Sequence, residues 1–416
     1  MFKKKEIFND IIQIMKMDYS GAAEKKDMNR PEEYLITDDM PDRDFIETIQ
    51  SYLLDFKDGH LSFNAKDAVI PNLGFRARRY QNELYVTEST EELRLQKGDE
   101  ILEIDGLTVE DFGNHHSKVL EDTVLDRQFW NVALRRAKEL TVLRDEVKFT
   151  LPLATYERTP YTPSYTLEKL NPDTVYMKLT DFGQEKPILD LLDKHKEDFN
   201  RSTNLIIDVR VNYGGNDLFY FPLLDYVFEG PTPFKSLFNK DEVMYTNYTE
   251  RNCRLWTNEL KGYLAQELDA ETEKWAHGEI ELFEKNKGKG LQTVQEEMDY
   301  TIQGQAAPQN VYVLTDVTCG SSGDTFASNV KKSPKVKVVG RPTMGIVDFC
   351  NVVNVDYGDY EFGYSISKMH ENYYTNETGV KPDIDIPWTP RHLEEDVDLK
   401  YVLEEIESKP IVAKRV

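Results

Sequence analysis

The residues that could do chemistry gather in three short windows. The first is Val317–Ala327, VTCGSSGDTFA, which follows VYVLTD, an apolar run that reads as a buried strand. A strand-to-helix turn presents side chains at the carboxyl edge of a sheet, where open α/β folds bind ligands. A serine there, Ser321 or Ser322, stands near backbone N–H groups that lack intrahelical partners. It also sits at the positive end of the helix dipole, and both features favour a developing oxyanion. The same residues have a purely structural reading, because Ser321 followed three positions later by Asp324 is close to a capping box. Cys319 is a second candidate nucleophile, or a packing residue at the end of the strand.

The second window, LIIDVRVNYGG (Leu205–Gly215), is a strand ending in Asn-x-Gly-Gly, a turn whose backbone a ligand can approach closely. The third is DGHLSF (Asp58–Phe63), with His60 just past a predicted helix end. A neutral imidazole with a pKa near about 6.5 can accept a proton at neutral pH. His60 also reads as a C-capping or surface residue. The motifs of zincins, P-loops and dinucleotide-binding turns are absent from the sequence.

These windows need elements to hold them. Residues 1–66 read as a helical segment: Ile7, Phe8, Ile11, Ile12 and Met15 recur at helical spacing, as do Phe45, Ile46, Ile49, Tyr52, Leu53 and Phe56. Residues 67–153 read as short strands separated by turn signals at Gln81-Asn82 and Lys97-Gly98-Asp99. Residues 154–230 and 307–416 alternate strand and helix, the pattern of an α/β core on a largely parallel sheet. Residues 231–306 are charged and read as a helical insertion. The segment ERTPYTPSY reads as a linker.

The 416 residues carry 51 Lys+Arg against 75 Asp+Glu, a net charge of −24, which disfavours nucleic acid and anionic membrane as partners. Three scattered cysteines make no disulfide framework. The N-terminus reads as an amphipathic helix rather than a signal peptide, which favours the cytoplasm; truncation of an exported protein would give the same sequence.

KGDEILEIDGLTVED (Lys97–Asp111), with NLGF (Asn72–Phe75) upstream, resembles a PDZ domain. The resemblance makes Leu73, Gly74 and Phe75 a loop whose N–H groups bind a peptide's C-terminal carboxylate. After it come TVYMKLTDF, LIIDVRVNYGG, VYVLTD…SSGDTFA, VVGRPTMG and GVKPDIDI. That order resembles the C-terminal-processing (tail-specific) serine proteases and their tricorn-like relatives, over about 40–230 and 307–390. The fold so implied is a ClpP/crotonase-like α/β core with a mixed, mostly parallel sheet, an N-terminal helical segment and a small β-rich PDZ-like domain.

The resemblance also implies roles. Ser321 matches the nucleophile of the family's Ser-small-small-acidic motif. The Ser322 N–H and the turn at Gly214 or Gly215 match its oxyanion hole. Where Ser-Lys members place a lysine, after Thr-x-Gly, this chain has Ile346. Lys331, Lys332, Lys335 and Lys337 read as solvated surface. The tricorn-like branch uses a histidine from Asp-Gly-His-Thr, matched here by His60. Its orienting glutamate falls at Asn376, with Glu377 one place later; either could serve, and Glu377 is the choice between them.

The expected function is serine endopeptidase action on flexible polypeptides whose C-termini dock on the PDZ-like domain. No metal or other cofactor is expected, and homo-oligomerisation is left open. The alternative is a catalytically inactive ligand- or peptide-binding protein on the same fold.

Overall fold

Apolar residues run without a break through Leu205–Ile207 and Val311–Leu314, as in strands covered on both faces. In the computed structural model, which describes residues 2–66, 72–120, 124–157, 159–265, 270–294, 300–375 and 378–408, these strands lie side by side. The chain forms two units. One comprises Met1–Ala68, Asn239–Glu297 and Ile346–Tyr374; the other comprises Val69–Phe238, Met298–Gly345 and Thr375–Val416.

The larger unit is built on a six-stranded sheet in the order Ile384–Asp385, Val336–Gly340, Asn310–Thr315, Asn204–Asp208, Thr174–Leu179 and Tyr165–Asn171. All neighbours are parallel except the last pair. That antiparallel edge strand begins inside the stretch read as a linker, so the sheet is mixed. Side-chain alternation divides the core. Leu205, Ile207, Val311 and Val313 face one apolar cluster, with Phe326 and Val330 of the helix Ser322–Val330. Ile206, Tyr312, Leu314 and Val339 face another, with Val402 of the helix Val397–Ser408. The same unit holds a β-rich part whose main strand order is Phe75–Tyr80, Glu83–Ser89, Glu100–Ile104, Glu139–Arg144 and Val147–Pro152. Its own core forms around Trp130.

The smaller unit packs the helices Lys4–Met17 and Asp42–Leu54 on an antiparallel sheet. Tyr360–Met369 is its longest strand and pairs with Ser62–Ala65, Met244–Tyr248 and Phe349–Asp356. The N-terminal helix buries Ile7, Phe8, Ile11, Ile14 and Met15, and Ile12 packs half-buried against the same cluster. Within 231–306 the helices Glu250–Leu264 and Ala270–Asn286 stand between the paired strands Met244–Tyr248 and Gly290–Val294. Those strands were hidden in the sequence because each pairs with a segment distant in the chain. Among the described residues no helix is long and apolar enough to cross a membrane.

Candidate active site

In the larger unit, two strand ends converge. Val211–Asn212 and Thr318–Cys319, each just past a central strand, pair in parallel as Val211↔Thr318 and Asn212↔Cys319. The pairing sets the Asn-x-Gly-Gly turn beside the start of the helix Ser322–Val330. Asn212 is wholly buried; its Nδ2 donates to Leu179 O at 3.1 Å and its Oδ1 accepts the Gly214 N–H at 3.0 Å. Its carbonyl accepts the Gly320 N–H at 3.0 Å. One buried amide thus ties the glycine turn to a neighbouring strand, and its backbone ties it to the serine loop.

Ser321 has φ 56° and ψ −121°, a left-handed conformation that costs a non-glycine residue about 1–3 kcal/mol. Asp324 holds it there: its Oδ2 accepts the Ser321 N–H and its Oδ1 the Gly345 N–H, each at 2.8 Å. The capping arrangement expected from the sequence is present. Its firm half is the Asp324 carboxylate on the Ser321 N–H.

The glycines are required by close approach. A Cβ on Gly214 (φ 75°) would meet Ser321 Cβ at 2.7 Å and Oγ at 3.2 Å, and one on Gly215 (φ 141°) would meet Phe182 O at 2.2 Å. The Gly214 carbonyl accepts the Phe182 N–H at 2.7 Å. Carbonyl and N–H point in opposite directions across a trans peptide, so the Gly215 N–H is directed away from Phe182. Among the described residues no acceptor takes the N–H of Gly215 or of Ser322. The Gly214 N–H, by contrast, is committed to Asn212. The Ser322 hydroxyl donates to Gly215 O at 2.8 Å and joins the two segments. Burial pushes the neighbouring Asp217 carboxyl up, opposed by the Thr325 hydroxyl, which donates to its Oδ1 at 2.9 Å.

Cys319 is fully buried, and burial first, then Asp324, Asp208 and Asp316, raise its thiol well above its usual range. That environment favours packing over nucleophilic use. Lys335 corrects the surface reading of the nearby lysines. Its Nζ donates to Tyr226 O at 3.1 Å and Gln305 O at 2.9 Å, and burial lowers its pKa to about 8.

Three features around the turn escaped the sequence reading. Tyr213, within the glycine turn, stacks edge-on with Tyr161 at 5.1 Å and accepts Arg76 Nη2 at 3.1 Å. Arg78, from the β-rich part, binds Asp316 through two hydrogen bonds of 2.6 and 3.0 Å. Arg341 contacts the same carboxylate at 3.0 Å. Burial alone would raise Asp316; Arg341 and Arg78 outweigh it and hold the carboxyl well below the usual range.

In the NLGF loop Leu73 and Phe75 are buried, and the Gly74 N–H donates to Asn72 Oδ1 at 3.1 Å. The Gly74 carbonyl accepts the N–H groups of Thr90, Glu91 and Glu92, and Tyr156 N–H donates to Asn72 O at 2.8 Å. A carboxylate binding at Gly74 has to displace the Asn72 side chain.

His60 belongs to the smaller unit, between the helix Asp42–Leu54 and the strand Ser62–Ala65. Its N–H donates to Asp58 Oδ1 at 2.9 Å. Ile346 packs on the same turn, its Cγ2 2.8 Å from where a Cβ on Gly59 would stand. Asn376 and Glu377 lie outside the described residues. Among the described residues no group of three or more His, Cys, Asp or Glu could hold a metal ion.

Residues 173–386 match peptidase family S41. Over 97% of both chains the structure is similar to that of mature CPAF complexed with lactacystin, with a TM-score of 0.69 and 13% identity. It is also similar to a putative peptidase from Parabacteroides merdae, with a TM-score of 0.51 and 15% identity over 99% of this chain and 98% of that one. No curated protein matches the sequence.

Proposed function

Because the chain belongs to peptidase family S41 and is a serine-type peptidase, we propose that it is an endopeptidase in which Ser321 attacks the scissile carbonyl and His60 is the base. The observation that carries this reading is the strained Ser321 beside two unclaimed N–H groups, those of Gly215 and Ser322. Preorganised donors of this kind stabilise the tetrahedral oxyanion without reorganising during the reaction. Gly214 contributes close approach, since its N–H is already engaged. The packing of Ile346 on Gly59 fits a base other than lysine at the position where Ser-Lys members carry one.

The finer reading is a tail-specific, tricorn-like enzyme on a ClpP/crotonase-like core. Its β-rich part, 67–153, is a PDZ-like domain that takes the substrate's C-terminus at Leu73, Gly74 and Phe75. Glu377 or Asn376 is the expected partner of His60. Residues 1–66 form the helical segment, 154–230 and 307–416 the protease core, and 231–306 the insertion.

The test is Ser321→Ala in hydrolysis of an unfolded protein, with fluorophosphonate labelling of the parent chain. Loss of turnover, and labelling that disappears with Ser321, are expected. A parent chain that neither cleaves nor labels is the inactive binding protein instead, and unchanged turnover in Ser321→Ala removes the nucleophile assignment.

A further inference from the structure

The Asp58–His60 turn holds more than a histidine. The Asp58 side chain is 1% exposed, and both its oxygens are anchored: Oδ1 by the His60 N–H at 2.9 Å, Oδ2 by Ser365 Oγ at 3.3 Å. Ser365 is itself fully buried, and its carbonyl accepts the Ser20 N–H at 3.0 Å. The Asp58 carbonyl accepts the Leu61 N–H at 3.1 Å, which closes the turn around His60. The carboxylate is therefore fixed relative to the backbone that carries the imidazole.

The His60 ring faces this carboxylate. Nδ1 lies 3.8 Å from Asp58 Oδ1, and the His60 side chain is 15% exposed. Nδ1 is buried and, among the described residues, has no hydrogen-bond partner. A buried polar atom left in that state costs about 1–3 kcal/mol. The gap is about 1 Å beyond a hydrogen bond, and catalytic hydrogen bonds are often long before substrate binds. A carboxylate offers roughly four acceptor sites, of which Asp58 uses two, so an Nδ1–H can be added without breaking either anchor.

We propose that Asp58 is the positioning residue of the catalytic histidine. The proposal rests on His60 being the base, as in the reading above. Nδ1 keeps its proton, directed at the Asp58 carboxylate, which leaves the Nε2 lone pair free for the serine hydroxyl proton. As the Oγ–carbonyl carbon bond forms, that proton passes to Nε2. The resulting imidazolium donates from Nδ1 to Asp58 and then delivers the Nε2 proton to the leaving amine as the C–N bond breaks. Asp58 remains a carboxylate throughout. The His60 partner is then supplied from two residues away in the chain, with no side chain required from 376–377.

Nitrogen-15 NMR of the histidine ring in Ser321→Ala, assigned with His60→Gln, tests the geometry with no catalysis involved. The expected signature is a neutral ring protonated on Nδ1, and a ring protonated on Nε2 overturns the proposal. In the active chain, Asp58→Asn is expected to lower kcat by about 10²–10⁴-fold with KM changed less than about threefold, the pattern of a lost orienting carboxylate. A kcat at the parent level overturns the proposal. His60→Gln separates the two readings. If it keeps parent turnover, the base assignment fails. If it is inactive while Asp58→Asn turns over normally, only the role of Asp58 fails.

Discussion

Ile346 Cγ2 stands 2.8 Å from the position of a Cβ on Gly59, so the residue before His60 has no room for a side chain while Ile346 is in place. Contact this short forces one partner to move, and the turn carrying His60 is tied to Asp58 by the His60 N–H. Gly59→Ala is therefore expected to lower kcat roughly tenfold to a hundredfold, the scale of a displacement near 1 Å in a catalytic group. Ile346→Ala removes Cγ2 and opens the space. The double variant should recover most of the loss, a coupling read from kcat of the two single variants and the pair. A double variant no faster than Gly59→Ala contradicts the steric account.

The strain at Ser321 makes a second prediction. At φ 56° and ψ −121°, alanine keeps the penalty of the left-handed backbone and glycine is relieved of it. Both variants lose the hydroxyl, so activity does not distinguish them. Ser321→Gly should be the more stable by about 1 kcal/mol after the extra unfolded-state entropy of glycine is deducted from the strain relieved. Urea unfolding of the two measures it. Equal stability, or a more stable alanine variant, shows that Asp324 does not hold the turn under strain.

How much of this was readable in advance follows from how local each feature is. The serine turn, its Asp324 contact and the Asn-x-Gly-Gly turn are written in spans of a few residues, so their spacing reveals them. The Asp58–His60 relation lies in three residues, but which oxygen faces which nitrogen is set by Ser365, some three hundred positions away. Arg78 and Arg341 meet at Asp316 from places 238 and 25 positions distant, and no local pattern marks them. Lys335 looked solvated because a lone lysine near a helix end usually is; its carbonyl partners at Tyr226 and Gln305 come from other segments. The strands at 244–248 and 290–294 were missed for the same reason, since charged helices fill the sequence between them.

The thiol alternative to Ser321 has a direct chemical check. Cys319 and Cys253 are buried and Cys350 is half-buried. Burial raises the pKa of Cys253 to about 11 and that of Cys319 well above its usual value, so neither is a thiolate at neutral pH. Iodoacetamide on the folded protein should alkylate Cys350 first, with Cys319 modified only after unfolding and peptidase activity retained. Peptide mass mapping of the alkylated sites decides this. Loss of activity in step with modification of Cys319 returns the thiol to candidacy.

The Arg78–Asp316 pair gives stability a defined pH dependence. Burial would raise the Asp316 carboxyl, but Arg341 and Arg78 hold it well below its ordinary value of about 3.9. A carboxyl depressed in the folded state adds stability that is fully present above its unfolded pKa and is lost as pH falls through the folded one. Arg78→Met removes two hydrogen bonds, of 2.6 and 3.0 Å, and leaves Arg341 in contact. The cost at neutral pH should be about 1–3 kcal/mol, below the roughly 3–5 kcal/mol of breaking a buried pair outright, because one guanidinium remains. The variant's carboxyl is depressed less. Its stability gap from the parent should therefore stay constant from pH 7 to about 4 and narrow at lower pH, where Asp316 begins to protonate in the variant first. The stacking of Arg78 on Trp388, 5.2 Å from guanidinium to ring, is lost at every pH and sets a floor under the gap. Urea midpoints of the two proteins at pH 7, 5, 4 and 3 measure the gap, and one that widens on acidification contradicts this account of the ion pair.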